Sequence, residues 1–378
     1  MAVPLLDLRT QYQNLRGEVD AAIRRVVESQ RFILGDEVEA LEREVTAVLG
    51  VTHGIGVASG TDALLLALRA AGVEAGDEVI VPTFTFFATA GAVVNAGARP
   101  VFADIEPRGF NLDATTVEAA LTTRTRAVIP VHLFGQCADM DSIGAVAERR
   151  GLAVIEDAAQ AIGARLGDRP AGSMGVLGCL SFFPSKNLGG FGDGGMITTS
   201  DDALAGRLRQ LRVHGQSGRY VHDEVGFNSR LDALQAAVLR AKLPYLDAWV
   251  ESRRRNASHY REQFAALGLS GDGEEAPLVV PEELPGRRHV YNQFVIRARE
   301  RDALKEHFTA RGIGTAIYYP KPLHRQECFA AVAERDASLP VAERAAAEVL
   351  ALPVYPELTE AQLEEVISGV ASFYGVEA

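Results

Sequence analysis

Lys186 stands between an aromatic, apolar run, Ser181-Phe182-Phe183-Pro184-Ser185, and a stretch with five glycines from Gly189 to Gly195. Apolar surroundings desolvate an amine, lower its pKa and make it a nucleophile near neutral pH. Glycines let backbone approach a ligand and adopt positive φ. An amine so placed suits Schiff-base chemistry with an aldehyde cofactor. Read alone, the same stretch also describes a solvent-exposed lysine beside a glycine-rich turn.

Other residues could complete that chemistry. Gly60-Thr61 falls where a strand-like run, 55–58, gives way to an Ala/Leu-rich helix. Free backbone N–H groups and the helix dipole make such a point an anion site suited to a phosphate, although an ordinary capping turn has the same pattern. Glu156-Asp157 ends the apolar run 152–155. A carboxylate there is costly unless paired, and a pyridinium nitrogen is a fitting partner because its protonation makes the ring an electron sink. The alternative for Asp157 is a cap on the next segment. Thr83-Phe84-Thr85-Phe86-Phe87 follows another strand-like run, and one aromatic there could lie flat on a heteroaromatic ring instead of joining the core. Ser181, five residues before Lys186, could join a phosphate cup. As an ordered set, phosphate anchor, ring partner, stacking aromatic and aldehyde-binding lysine describe pyridoxal 5′-phosphate.

These residues need a scaffold that brings strand ends together. Strand-like runs at 55–58, 78–81, 100–103, 127–131 and 152–155 alternate with helical stretches at 87–95, 112–121 and 140–150, and short runs at 179–183 and 196–199 add two strands. The pattern predicts an α/β fold with a mainly parallel seven-stranded sheet between helices, which binds ligands at the carboxyl ends of its strands. Two N-terminal helices precede it, at 11–29 and from Asp36, expected as a cap, to Gly50, expected as a stop. After it come helices at 201–213 and 231–243, a polar excursion at 215–229, an interruption at Pro244 and a long helix to about 267. Residues 268–286 are rich in Gly, Pro and Glu and read as a boundary. The division expected is a large domain over 1–267 and a small C-terminal α+β domain over 268–378, with a strand at 294–296 and helices at 302–311, 342–350 and 360–374.

The chain has 378 residues and a net charge of −12, which argues against a general nucleic-acid binder. Its three cysteines, Cys137, Cys179 and Cys328, lie far apart, which excludes a disulfide frame and a Cys-x-x-Cys metal site and fits reduced thiols. No apolar run reaches membrane-spanning length, and the first residues lack a basic start, so a cytoplasmic location is expected.

The set of motifs resembles the DegT/StrS-type nucleotide-sugar aminotransferases, pyridoxal-phosphate enzymes of fold type I (the aspartate-aminotransferase fold). The likeness runs nearly end to end and is sharpest at Ser59-Gly60-Thr61-Asp62, Glu156-Asp157-Ala158-Ala159-Gln160, Ser181 to Asn187-Leu188, and Gly226-Phe227-Asn228-Ser229-Arg230-Leu231-Asp232. The resemblance implies that Lys186 bonds the cofactor aldehyde and later shuttles a proton. It implies that Asp157 pairs with the ring nitrogen, Gln160 hydrogen-bonds the ring 3-oxygen and Phe86 stacks on the ring. It also implies that Gly60, Thr61 and Ser181 hold the phosphate while Asn228 reaches the phosphate in a neighbouring subunit, so the active unit is expected to be a homodimer. Some relatives carry His at the lysine position and eliminate water; Lys186 favours transamination.

By the same resemblance L-glutamate is the expected amino donor. Its carboxylate needs a cation, for which Arg230 is a candidate, with an interface ion pair as the alternative. Tyr318-Tyr319-Pro320-Lys321-Pro322-Leu323-His324 offers two phenols, an ammonium and an imidazole to a nucleotide-linked keto sugar; a structural role is the alternative for His324. The likeness is to enzymes that aminate C3 of the sugar, with C4 amination, a pyridoxal-phosphate-bound regulator without turnover, and a dehydratase as rival readings.

Overall fold

The computed structural model describes residues 2–271, 276–332 and 338–377. Seven short strands form its central sheet: β1 (His53–Val57), β2 (Glu78–Pro82), β3 (Arg99–Ala103), β4 (Thr125–Val128), β5 (Ala153–Asp157), β6 (Leu177–Ser181) and β7 (Gly195–Thr199). Their spatial order is β1-β7-β6-β5-β4-β2-β3. All neighbours are parallel except β7, which runs against both β1 and β6. The mainly parallel α/β architecture read from the sequence is the one observed.

Alternation along the strands explains why helices cover both faces. Val79 and Val81 of β2 and Ala127 of β4 pack with Leu64, Ala67 and Val93, whereas Ile80 and Val128 point to the other face against Met140, Ile143 and Val146. Residues apolar on both sides are what a parallel sheet buried by crossover helices requires. Two of those helices bear on the site. α3 (Gly60–Ala70) is capped by Ser59, whose hydroxyl accepts the Asp62 N–H, and α4 (Ala88–Asn95) follows β2.

The N-terminal helices are α1 (Leu8–Ser29), capped by Asp7, and α2 (Asp36–Leu49). Asp36 does not cap α2: Gly35, at φ 81°, holds that position and Asp36 is the first helical residue. Gly50 ends α2 in the left-handed conformation, as expected. The polar excursion contains a small hairpin, Gln216–Gly218 against Val221–His222, that stands out from the body. Its tip and the segment after it expose Tyr220 (82 %) and Val225 (85 %).

The C-terminal part has its own apolar core around a three-stranded antiparallel sheet. Its strands are β8 (Leu278–Val279), β9 (Phe294–Ala298) and β10 (Val349–Leu352). The helix expected over 342–350 stops at Glu348, because Val349 to Leu352 pair with Phe294 to Arg297, with Leu350 and Leu352 entering this core and Val349 and Ala351 a second one with Phe84 and Val295. β8 lies inside the stretch read as a boundary; residues 272–275 of that stretch fall outside the described residues. The same core takes in Val3 near the N-terminus and Ala257, Tyr260 and Phe264 from the end of the long helix α5 (Leu246–Ala266). The other end of α5 contributes Leu246 and Val250 to a core shared with Ala158 and Phe182.

Where β1 and β6 end and β7 begins, the chain is packed too tightly for side chains. A Cβ on Gly195 would lie 2.4 Å from the Ser59 carbonyl oxygen, which accepts the Ala63 N–H in the first turn of α3. Gly195→Ala must therefore push the start of α3 away. An overpacking loss of about 1–3 kcal/mol is expected, together with weaker cofactor retention. Denaturant unfolding and cofactor titration of the variant check both.

Candidate active site

The carboxyl ends of β5 and β6 and the start of α3 open onto one cavity of about 620 Å³, with Asp157, Ser181, Gly60 and Lys186 in its wall. The sequence-derived residues Thr61, Phe86, Gln160, Tyr318 and Tyr319 line it too. Crossover connections put loops at these strand ends, which is why residues 100 or more positions apart meet there.

Asp157 is the last residue of β5 and only 5 % exposed. Burial raises its pKa, opposed by hydrogen bonds to the charged form. Thr89 Oγ1 donates to Oδ2 at 2.8 Å and the Ala159 N–H donates to Oδ1 at 3.2 Å. Among the described residues Asp157 forms no ion pair. Thr89 was not singled out from the sequence; it lies in the first turn of α4, and its hydroxyl is 3.3 Å from that of Thr85 in the loop before the helix. Its neighbour Glu156 is fully buried and acts structurally. His132 Nδ1 accepts the Ala138 N–H, so its Nε2–H donates to Glu156 Oε2 at 2.8 Å. The Gly172 and Met174 N–H groups also donate to Glu156, at 2.8 and 2.6 Å. This cage fixes the strand end that presents Asp157.

Lys186 is half-buried in the turn after β6, where its N–H donates to the Phe183 carbonyl at 2.9 Å. Burial lowers its pKa to about 8, with Asp157 pulling the other way. The amine is therefore substantially neutral just above physiological pH. Asn187 locks the turn from behind: its Nδ2 donates to the Val290 carbonyl at 3.1 Å and its Oδ1 accepts from Asn292 at 3.0 Å.

At the edge of the cavity, Ser59 satisfies the Asp62 N–H and leaves the Gly60 and Thr61 N–H groups without a partner within the helix. A Cβ on Gly60 would come within 2.7 Å of the Ser181 Cβ, so glycine is what allows the serine beside the helix end. A polar cradle of N–H groups and a hydroxyl results, at the positive end of the α3 dipole.

The remaining candidates divide. Phe86 is 56 % exposed, with its ring centroid 6.3 Å from that of Tyr319. Gln160 Oε1 accepts the Phe134 N–H at 2.6 Å, and its Nε2 donates to the Tyr319 hydroxyl at 3.3 Å, which leaves one amide hydrogen for a ligand. Burial raises the pKa of both Tyr318 and Tyr319, so both phenols stay protonated. His324 is 4 % exposed, with Nδ1 2.6 Å from Thr83 Oγ1 and Nε2 3.2 Å from Glu343, and it is not among the cavity-lining residues. Asn228 is exposed on the segment that follows the hairpin, bridged to Val213, outside this chain's cavity wall. Arg230 is half-buried, also outside the wall, and its guanidinium makes no ion pair among the described residues.

A single group uses an aldehyde, an aromatic ring nitrogen and a phosphate at these three stations, and the residues present fit it. Asp157 has no cation of its own, the amine is desolvated, and the cradle exists only because Gly60 has no side chain. Fold and cavity place the chain among the pyridoxal-phosphate-dependent transferases. Residues 13–371 match the DegT/DnrJ/EryC1/StrS aminotransferase family, and the chain belongs to that family. It is 50 % identical over 377 residues, 99 % of each chain, to a protein of Geobacillus stearothermophilus described as a pleiotropic regulatory protein. It is also 50 % identical over 365 residues, 97 % of this chain and 96 % of the relative, to the UDP-N-acetyl-3-dehydro-alpha-D-glucosamine 3-aminotransferase of Acidithiobacillus ferrooxidans. The crystal structure of DesV from S. venezuelae superposes with a TM-score of 0.94 at 45 % identity, covering 98 % of both chains.

The lowered pKa of Lys186 gives a stability signature with a definite sign. Between pH about 8 and the unfolded lysine value of about 10.4, the folded apoprotein binds fewer protons than the unfolded chain, so stability attributable to this residue rises with pH. Lys186→Met, which carries no charge, is expected to melt several degrees above wild type at neutral pH. The gap should narrow as pH climbs through that window, and thermal melts of both apoproteins at stepped pH check it.

Proposed function

We propose that this aminotransferase moves an amino group from L-glutamate to the C3 keto carbon of a nucleotide-linked sugar. The observation that carries the reading is the desolvated Lys186 amine in one cavity with the buried, cation-free Asp157. The C3 position rests on the likeness to the Acidithiobacillus enzyme.

Pyridoxal phosphate, when bound, supplies an electron-withdrawing ring that stabilises negative charge on a carbon beside nitrogen. The Thr89 hydroxyl and the Ala159 N–H donate to the charged form of Asp157 and oppose the effect of burial, and this carboxylate would pair with the ring nitrogen and favour its protonated form. Nζ of Lys186 takes the proton from the donor's α-carbon. In the second half-reaction the same amine, in its protonated form, delivers a proton to the sugar C3 carbon, which bears none as a ketone. A pKa near 8 suits both directions, since the neutral form accepts and the charged form returns the proton. Gly60, Thr61 and Ser181 would hold the phosphate, Gln160 would offer its free amide hydrogen to the ring oxygen, and Phe86 would cover the ring. Tyr318 and Tyr319 present hydroxyls to the sugar.

Asn228 and Arg230 lie outside this chain's own cavity wall, yet the hairpin ahead of them carries exposed apolar side chains that a partner would cover. We read the working unit as a homodimer in which Asn228 completes the partner's phosphate site and Arg230 meets the donor carboxylate. The regulatory description of the Geobacillus relative raises a second reading, cofactor binding without turnover; the tuned amine of Lys186 favours turnover.

Adding L-glutamate to the yellow holoprotein should bleach its cofactor absorbance, and Lys186→Ala should abolish turnover. No bleaching with any common amino acid would count decisively against the proposal. Mixing Lys186→Ala with Asn228→Ala subunits should restore up to about a quarter of wild-type activity, the fraction of sites with neither lesion, whereas each variant alone stays low. Assays of the mixed and separate preparations check it, and no complementation would rule out the shared site.

A further inference from the structure

Two adjacent aromatics leave β2, and they do different things. Phe86 turns toward Tyr319, whereas Phe87 stacks on Phe329 with centroids 5.3 Å apart and planes at 26°. Phe329 is 2 % exposed and meets the edge of Phe102 at 5.4 Å, so the support beneath Phe87 is rigid. The ring also lies close over the first turn of α4: a Cβ on Gly91 would sit 2.9 Å from Phe87 Cε1. With one face on Phe329, Phe87 nevertheless remains 47 % exposed and lines the same cavity as Lys186. A large aromatic held this firmly and left open toward a binding cavity is a stacking surface without its second ring.

A cation accompanies it. The chain has four lysines, and two of them, Lys186 and Lys321, line this one cavity. Lys321 is exposed and makes no ion pair among the described residues. It shares a segment with Phe329 that is tied to the end of β2, where the Leu323 N–H donates to the Thr83 carbonyl at 2.7 Å. The wall that holds Lys186 thus also offers two phenols, an ammonium and an open aromatic face. A nucleotide-linked sugar has a part for each: a reacting sugar, an anionic diphosphate and a planar base.

Resting on the functional reading above, we infer that Phe87, backed by Phe329, is the stacking platform for the base of the nucleoside diphosphate, with Lys321 neutralising the diphosphate.

Calorimetric titration of the holoprotein with UDP, dTDP and inorganic pyrophosphate tests this without turnover. Phe87→Ala and Phe87→Leu should each weaken UDP and dTDP about 10-fold and leave pyrophosphate unchanged, as loss of one base–aromatic stack predicts. Phe87→Tyr should bind like wild type. Lys321→Ala should weaken all three ligands. Phe87→Leu keeps an apolar filler over Phe329, so the result does not depend on Phe87→Ala folding well. Wild-type affinity for both nucleotides in Phe87→Leu, or an equal loss for pyrophosphate, overturns the inference. If glutamate bleaches the wild-type holoprotein but neither nucleotide binds, the platform is wrong and the aminotransferase reading stands. If nucleotide binding depends on Phe87 but no donor bleaches the protein, the platform stands and the functional reading falls.

Discussion

Removed from water, a carboxylate tends to recapture a proton, and the site depends on what opposes that at Asp157. Two donors, the Thr89 hydroxyl and the Ala159 N–H, hold its oxygens, and Lys186 adds a favourable field. None of these is an ion pair, so the residual negative charge is available to a cationic ring. The strand beneath is fixed by a second buried acid, Glu156, whose lone pairs are consumed by His132 and backbone amides. One carboxylate is spent on architecture so that its neighbour can be kept for chemistry. A buried charge that is fully hydrogen-bonded is tolerated; one left half-satisfied is poised to bind.

The phosphate cradle follows a different rule, that of space. Ser181 and the start of α3 approach so closely that Gly60 and Gly195 are the residue type that fits. Preorganisation of this sort is steric: N–H groups point into the cavity because no side chain can intervene. Electrostatics at β5 and close packing at β6 and β7 are thus separate constraints that meet at Lys186, whose turn is clamped by Asn187 and Asn292.

Much of this could be read in the chain itself, and the reasons differ by residue. The seven strands and their parallel order are local and periodic, with apolar runs of about five residues between helical stripes. Lys186, Asp157 and Gly60 were legible because each breaks its local pattern: a lysine after aromatics, an acid ending an apolar strand, a glycine opening a helix. Thr89 was not, since a threonine in the first turn of a helix looks ordinary until the fold brings Asp157 to it. Nor was the burial of His324, which follows from Thr83 at a strand end far away in sequence. Val349 and Leu350 continue a helical stripe on paper but pair with β9, because tertiary pairing outweighs local propensity in short apolar runs. Likewise only packing separates Phe86 from Phe87, and only packing gives the second ring its backing.

α5 links the two cores directly. Its first turns are buried with the large sheet and its last turns with β9 and β10, over 21 residues, or about 30 Å. Midway, the buried Arg253 donates to the carbonyls of Tyr291 and Asn292 at 3.2 and 3.4 Å, pinning the shaft to the strand that leads into β9. Ala158, beside Asp157, is therefore fastened to one end of this rod, and Phe294 and Leu352 of the C-terminal sheet to the other. Any shift of the C-terminal core against the large sheet has to be taken up as bend or torsion of that rod, and so meets the stiffness of a helix in place of the slack of a linker.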